Sequence, residues 1–242
     1  MKKVNQDVLE VLSRGEIEGN LFKMTCGQLD RKMYMAVNEV LDNIGGKWNR
    51  KLKGHIFPCD PTEKIEQVLL TGETVNEKKL FQFFETPKKL AIKMIDLAEF
   101  DSGMRILEPS AGHGAIAENI ISENLVCLEL DTEKVLVLKK KGFYVLCEDF
   151  LNHNAEYDRI IMNPPFIKQQ DIDHVLHAYD LLDKCGKIIS IMSTGFTFRQ
   201  NKKSVEFRNL VNKCGYYEHL DSGTFKDTGT MIKTVLVVLK KA

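Results

Sequence analysis

"ILEPSAGHGAIAENI", residues 106–120, decides how this chain is read. Two apolar residues lead into a run of small ones, and Gly112 and Gly114 let a ligand approach the backbone where a helix is expected to begin. Strand, glycine turn and helix N-terminus together make a nucleotide-binding turn. The stretch has neither the G-x-G-x-x-G spacing of a dinucleotide site nor the lysine of a P-loop, so phosphate is not the expected ligand. Glu108 at the mouth of the turn favours a cationic or ammonium-bearing ligand instead. The competing reading is a tight turn that needs glycine for packing alone.

Working outward, Thr86-Pro87 opens a predicted helix through Leu90, Ala91, Met94, Ile95 and Ala98. The runs MRILEP, LVCLELD, FYVLCEDF, YDRIIMNPP and GKIISIMS then alternate with amphipathic stretches, such as 171–182 with Ile172, Val175, Leu176, Tyr179 and Leu182 on one side. Apolar strands without polar alternation, separated by helices, predict an α/β fold with a mostly parallel sheet covered on both faces. YYEHL and TVLVVLK have no long helix between them, which predicts an antiparallel C-terminal pair at the edge.

Residues 1–80 read differently from 81–242, as a small N-terminal helical or α/β unit beside the larger domain. Leu29, Met33, Val37, Val40, Leu41 and Ile44 recur at helical spacing, with Gly45-Gly46 as the stop. Asp60-Pro61-Thr62-Glu63 reads as a second helix start. Between them lies GGKWNRKLKGH, residues 45–55, a hairpin or loop with Lys47, Arg50, Lys51, Lys53, the chain's only tryptophan, Trp48, and no acidic residue. Basic side chains interleaved with an aromatic suit a hairpin that tracks phosphates, although a charge run is commonly a solvated face.

The bulk composition sets limits. The 242 residues are 43% hydrophobic with a net charge of zero, which excludes a fibrous or disordered chain and leaves nucleic-acid binding to local patches. No apolar run approaches the roughly 18 residues of a membrane span, and the N-terminus has no apolar signal core, so a cytoplasmic protein without membrane contact is expected. Six cysteines, at 26, 59, 127, 147, 185 and 214, show no zinc spacing; buried free thiols and no metal are expected.

Acidic residues recur at strand ends. Glu129 with Leu130 closes the second run of the larger domain, where a carboxylate can accept both ribose hydroxyls, and Asp149-Phe150 closes the third, where a carboxylate beside an aromatic can hold an adenine. The ligand read from these residues is a nucleoside without phosphates. The fourth run ends in Asn163-Pro164-Pro165-Phe166, a rigid hydrogen-bonding rim with an aromatic read as exposed, suited to a planar ligand.

EPSAGHG followed by NPPF resembles the class I S-adenosylmethionine-dependent amino-methyltransferases, most closely the DNA adenine-N6 group, and FFETP at 83–87 resembles that group's upstream cofactor segment. The resemblance spans about residues 81–239 and implies a Rossmann-like doubly wound sheet. It implies that Asn163 and Pro164 accept hydrogen bonds from an exocyclic amine, that Pro165 stiffens the loop and that Phe166 stacks on the base. It further implies that Glu108, Ser110, Gly112 and Gly114 hold the methionine end of S-adenosylmethionine. Glu129 would hold the ribose, Asp149 and Phe150 the adenine, and Thr86 with Pro87 the carboxylate side.

Adenine N6 of DNA is the first expected substrate. An RNA base is the alternative, then a protein glutamine, then a non-catalytic nucleic-acid-binding subunit that keeps the fold. Sizeable recognition domains usually follow the catalytic one in this group, so recognition is expected from the N-terminal unit, from loops or from a partner chain. The loop FTFRQNKKS, 196–204, is a second candidate, closing over a flipped base, with a plain surface loop as the default. No role is assigned to His113, and the oligomeric state is not legible.

Overall fold

A computed structural model describes residues 2–27, 29–74, 85–221, 223–225 and 233–241. Two compact units emerge, Met1–Gln82 with Gly195–Val205, and Phe83–Thr194 with Glu206–Ala242.

The first unit is α/β. Its helices are α1 (Gln6–Ser13), α2 (Arg31–Asn43) and α3 (Thr62–Thr71). Strands β2 (Glu16–Glu18), β3 (Leu21–Lys23), β4 (Lys47–Asn49) and β5 (Gly54–Ile56) make an antiparallel sheet in the order β2-β3-β5-β4, and β1 (Lys2–Lys3) pairs with β6 (Glu73–Thr74). Asp30 caps α2 by accepting the amides of Lys32 and Met33, and Gly45 at φ 97° follows its end as the sequence predicts. Gly46 is needed for closeness, because a Cβ there would sit 2.6 Å from the Phe57 ring.

The segment 196–204 is not the plain surface loop of the default reading. Gly195–Phe198 forms α7, and Phe198 is buried in the core of this unit with Phe22, Leu41 and Val68. Arg199 is 3% exposed and forks onto Glu66 at 3.0 and 2.8 Å. Aromatics at 196 and 198 and a paired guanidinium give this segment more to bury than a solvent loop carries.

The second unit is a seven-stranded sheet in the order β12-β13-β11-β10-β7-β8-β9. Strands β7 (Ile106–Pro109), β8 (Leu125–Leu128), β9 (Val145–Leu146), β10 (Tyr157–Met162) and β11 (Leu182–Ser193) are parallel. β13 (Thr234–Lys240) runs antiparallel between β11 and β12 (Gly215–His219), which makes the expected antiparallel edge pair. Ile160, Ile161 and Met162 are all fully buried although they point alternately to opposite faces, so both faces are covered.

The helices of this unit are α4 (Lys88–Ala98), α5 (Thr132–Lys140), α6 (Gln170–Asp180) and, starting at the boundary between the units, α8 (Lys202–Cys214). α4 ends on cations. Arg159 donates to the carbonyls of Ala98 and Glu99, and Lys187 donates to that of Leu97, which answers the partial negative charge of a helix C-terminus.

Three expectations need correction. No α-helix follows β7: the glycine turn runs into a 3-10 turn, Ala117–Asn119, because about ten residues separate Gly114 from β8, too few for a turn, a helix and a return. The buried face of α6 comprises Ile172, Val175 and Ala178 with Asp171 and His174, whereas Leu176 is exposed. Only Cys127 of the six free thiols is buried; Cys59, Cys147 and Cys185 are exposed, lying in connections outside the strands or near the start of β11.

Candidate active site

The parallel strands β7, β8, β9 and β10 bring their carboxyl ends to one edge of the sheet, and most of the sequence-predicted site residues are found there. Ser110 at φ 58°, Gly112 at 58° and Gly114 at 88° curl the chain off β7 through the left-handed region. Gly114 serves packing as well, since a Cβ would meet Leu138 of α5 at 2.9 Å. The packing and ligand readings of this turn therefore both hold a share of it.

Two carboxylates organise the turn. Glu129, 8% exposed, accepts the Gly112 amide at 2.7 Å and the Asp131 amide at 2.9 Å, so β8 fixes the loop that leaves β7. Glu108 is 3% exposed. Burial pushes its carboxyl well above the usual range, against the stabilising amides of Ala117 and Ile116 and with the charge of Glu129 adding to the rise. Its Oε2 has no hydrogen-bond partner, an unusual state for a buried polar atom.

At the other wall, Asn163 Nδ2 donates to Thr86 Oγ1 at 3.2 Å, which joins the segment before α4 to the loop after β10. Thr86 is 6% exposed, and Pro87 sets the entry to α4 with an extended backbone. A cavity of about 460 Å³ opens beside it, lined by Glu85, Thr86, Pro87, Lys88, Ala115, Glu118 and Asn119. Its rim is charged: His113 meets Glu85 at 2.9 Å, and Lys141 bridges Glu118 and the His113 carbonyl. Phe83 and Phe84 of the upstream segment lie outside the described residues, as do residues 222 and 226–232 of the connection to β13.

The aromatics depart from expectation. Phe166 is 7% exposed, with Pro164 buried and Pro165 exposed, so the ring is not the open lid read from the sequence. Phe150 is also buried, its ring 5.4 Å from that of His174 and 4.9 Å from that of His177 on α6. Asp149 is exposed and accepts the Leu151 amide. Leu130, in contrast, is 66% exposed two residues past the end of β8.

One residue pair was not anticipated. Asp171 at the start of α6 is 1% exposed and accepts both the amide and the hydroxyl of Ser193 at the end of β11, at 3.0 and 2.8 Å. It ties the chain after the Asn163–Phe166 loop to the neighbouring strand. Between them, Lys168 and Gln169 both take positive φ without being glycine, a costly backbone state that commonly marks functional loops. An aspartate five residues past the motif carries no local sign of this contact.

S-adenosylmethionine is the cofactor this fold implies, and the residues fit it. The unpartnered Glu108 oxygen suits an ammonium group, and the Leu130 side chain offers an apolar face beside Glu129. Among the described residues no cluster of His, Cys, Asp and Glu suits a metal ion, and no helix is long and apolar enough to cross a membrane.

No family model matches the chain. The type II methyltransferase M.AccI of Acinetobacter calcoaceticus is 28% identical over 184 residues, which is 68% of this chain but only 32% of that protein. A type I restriction-modification methyltransferase subunit from Streptococcus thermophilus matches with a TM-score of 0.57 at 20% identity, over 65% of this chain and 45% of that one. A putative RNA methyltransferase from Pyrococcus horikoshii matches with a TM-score of 0.51 at 21% identity, over 69% of this chain and 90% of that one. The second unit has the Rossmann-like fold of the class I S-adenosylmethionine-dependent methyltransferases.

Proposed function

We propose that the chain transfers a methyl group from S-adenosylmethionine to the exocyclic amine of a nucleic-acid base, with adenine N6 of DNA as the first substrate. The observation that carries this reading is the Asn163-Pro164-Pro165-Phe166 loop at the end of β10, with its amide held by Thr86 beside the glycine turn. The relative M.AccI, a type II methyltransferase, and the restriction-modification subunit support DNA. RNA is the second reading, favoured by the likeness to a putative RNA methyltransferase.

When bound, S-adenosylmethionine supplies an electrophilic methyl group on a sulfonium centre. The protein's part is positioning and polarisation. The Thr86 contact sets the plane of the Asn163 amide, whose oxygen and the Pro164 carbonyl accept hydrogen bonds from the target amine and localise its lone pair. Pro164 and Pro165 keep those acceptors from relaxing. No strong base is needed, because the alkylated ammonium loses its proton readily. Glu108 and Gly112 hold the methionine end, Glu129 the ribose, and Leu130 with Asp149 the adenine. Stacking of the base on Phe166, worth roughly 1–3 kcal/mol, requires the side chains that cover this ring to part.

Recognition falls to the first unit, through Lys47, Trp48, Arg50, Lys51 and Lys53, with a partner chain as the further source of specificity. The test is transfer of labelled methyl to unmethylated genomic DNA, total RNA and cell protein in parallel, with Asn163→Ala as control. Label recovered as N6-methyladenine in DNA and lost in the variant is expected. Label only in RNA or protein refutes the substrate, and cofactor binding without transfer to any of them refutes the activity.

A further inference from the structure

The β4–β5 hairpin has features that a solvated charge run does not need. Lys47↔Ile56, Trp48↔His55 and Asn49↔Gly54 pair the strands, and β4 is the outer strand of its sheet. Asn49 Oδ1 accepts the amides of both Lys51 and Leu52 at 3.0 Å, and Lys53 takes φ 49°, so the four-residue tip is built into one shape. At that tip Leu52 is 50% exposed, flanked by exposed Arg50, Lys51 and Lys53. Lower down, Trp48 is 44% exposed and braced edge-on by Tyr34 of α2 at 6.2 Å and by the buried His55 at 5.2 Å.

A lone exposed leucine is ordinary on a protein surface. Here it stands at the apex of the hydrogen-bonded turn that joins the edge strand β4 to β5 of a four-stranded sheet, on a stretch with four cations and no acid in a chain of 34 acidic and 34 basic residues overall. Cations around an apolar tip fit a partner with outer anionic rails and, on the polar floor between them, apolar methyl groups such as those of thymine. A double-stranded nucleic acid has that arrangement. The major groove of B-form DNA, about 12 Å wide, is open enough for such a tip to reach base edges, whereas the major groove of A-form RNA is too narrow for side chains to read.

We propose that this hairpin is a groove reader for B-form duplex DNA, in which Leu52 contacts base edges while Lys47, Arg50, Lys51 and Lys53 hold the flanking phosphates. The inference rests on the nucleic-acid reading above and deepens it, naming the duplex and the residue that reaches the bases.

Trp48, the chain's only tryptophan, makes the test direct, because emission excited beyond the tyrosine absorption band reports this hairpin alone. The full chain is titrated with a DNA duplex pool, RNA duplexes of the same sequences and single strands, over a range of salt. A Trp48 response to duplex DNA is expected, and log K should fall against log salt with a slope of roughly −3.6, about 0.9 for each of four phosphate contacts. Lys51→Glu with Lys53→Glu should halve that slope. Leu52→Ala should leave the slope unchanged and lower affinity several-fold, and a major-groove ligand such as methyl green should compete where netropsin does not.

Equal affinity for duplex RNA, or unchanged affinity in Leu52→Ala, overturns the groove assignment. A silent Trp48 with every nucleic acid overturns the hairpin as a nucleic-acid site, and methyl transfer measured on the same preparation shows whether the catalytic reading survives. The substitutions lie at exposed tip positions, and an unchanged emission maximum in the free variants confirms an intact hairpin.

Discussion

Fully buried and short of one hydrogen-bond partner, Glu108 takes up a proton more readily than an ordinary glutamate. A folded-state pKa raised above the unfolded one contributes stability that is complete below the unfolded value and lost as pH rises through the raised one. The thermal midpoint of the cofactor-free protein should therefore fall as pH climbs above the usual glutamate value of 4.5, and Glu108→Gln should flatten that fall. The same variant should bind S-adenosylmethionine more weakly, because a neutral amide cannot match a carboxylate as the partner of an ammonium group. Parallel pH profiles for variant and wild type would sink the assignment. Glu108, Glu129 and Asn163 are legible in the sequence by their position at strand ends. The exposure of Phe166 and Phe150 is not, because an aromatic in a short motif can serve a ligand or the core equally well.

At the scale of elements, the join between α6 and β11 rests on Asp171 and Ser193, separated by 22 residues in the chain. Ser193→Ala removes one of two hydrogen bonds and should cost about 1 kcal/mol in urea unfolding. Asp171→Ala leaves the Ser193 amide buried without an acceptor and should cost more, about 2–3 kcal/mol, with a loss of methyl transfer because the preceding loop carries Asn163. Equal effects of the two substitutions would show that the backbone amide finds another partner. Period and turn chemistry made α2, α4 and the five parallel strands legible. They did not reveal β2 and β3, since three-residue strands are too short for alternation to register. They also promised an α-helix after β7, where a strand-turn-helix pattern met too short a connection.

For the whole molecule, the largest departure from a linear reading is the return of residues 195–205 to the first unit after β11. Arg199 and Glu66 stand 133 residues apart in the chain, with side chains only 4% and 16% exposed. Arg199→Met leaves a mostly buried carboxylate unpaired and should destabilise this unit by about 3 kcal/mol, read from Trp48 emission in urea. Adding Glu66→Gln should recover part of that loss, because the uncompensated charge is gone; no recovery would mean that packing of the arginine stem dominates.

The amino-acid sequence by itself determined the alternation of strands and helices, the glycine turn, the acids at successive strand ends and the Asn-Pro-Pro-Phe loop. Each of these is written in side-chain periodicity or backbone conformation over a few neighbouring residues. Only the tertiary structure decided that Thr86 meets Asn163 across 77 residues, that Glu129 holds the Gly112 amide, that Phe166 lies buried and that a loop after β11 completes another unit's core. Those outcomes depend on which distant surfaces exclude water together, and burial is a property of the packed chain that no local pattern carries.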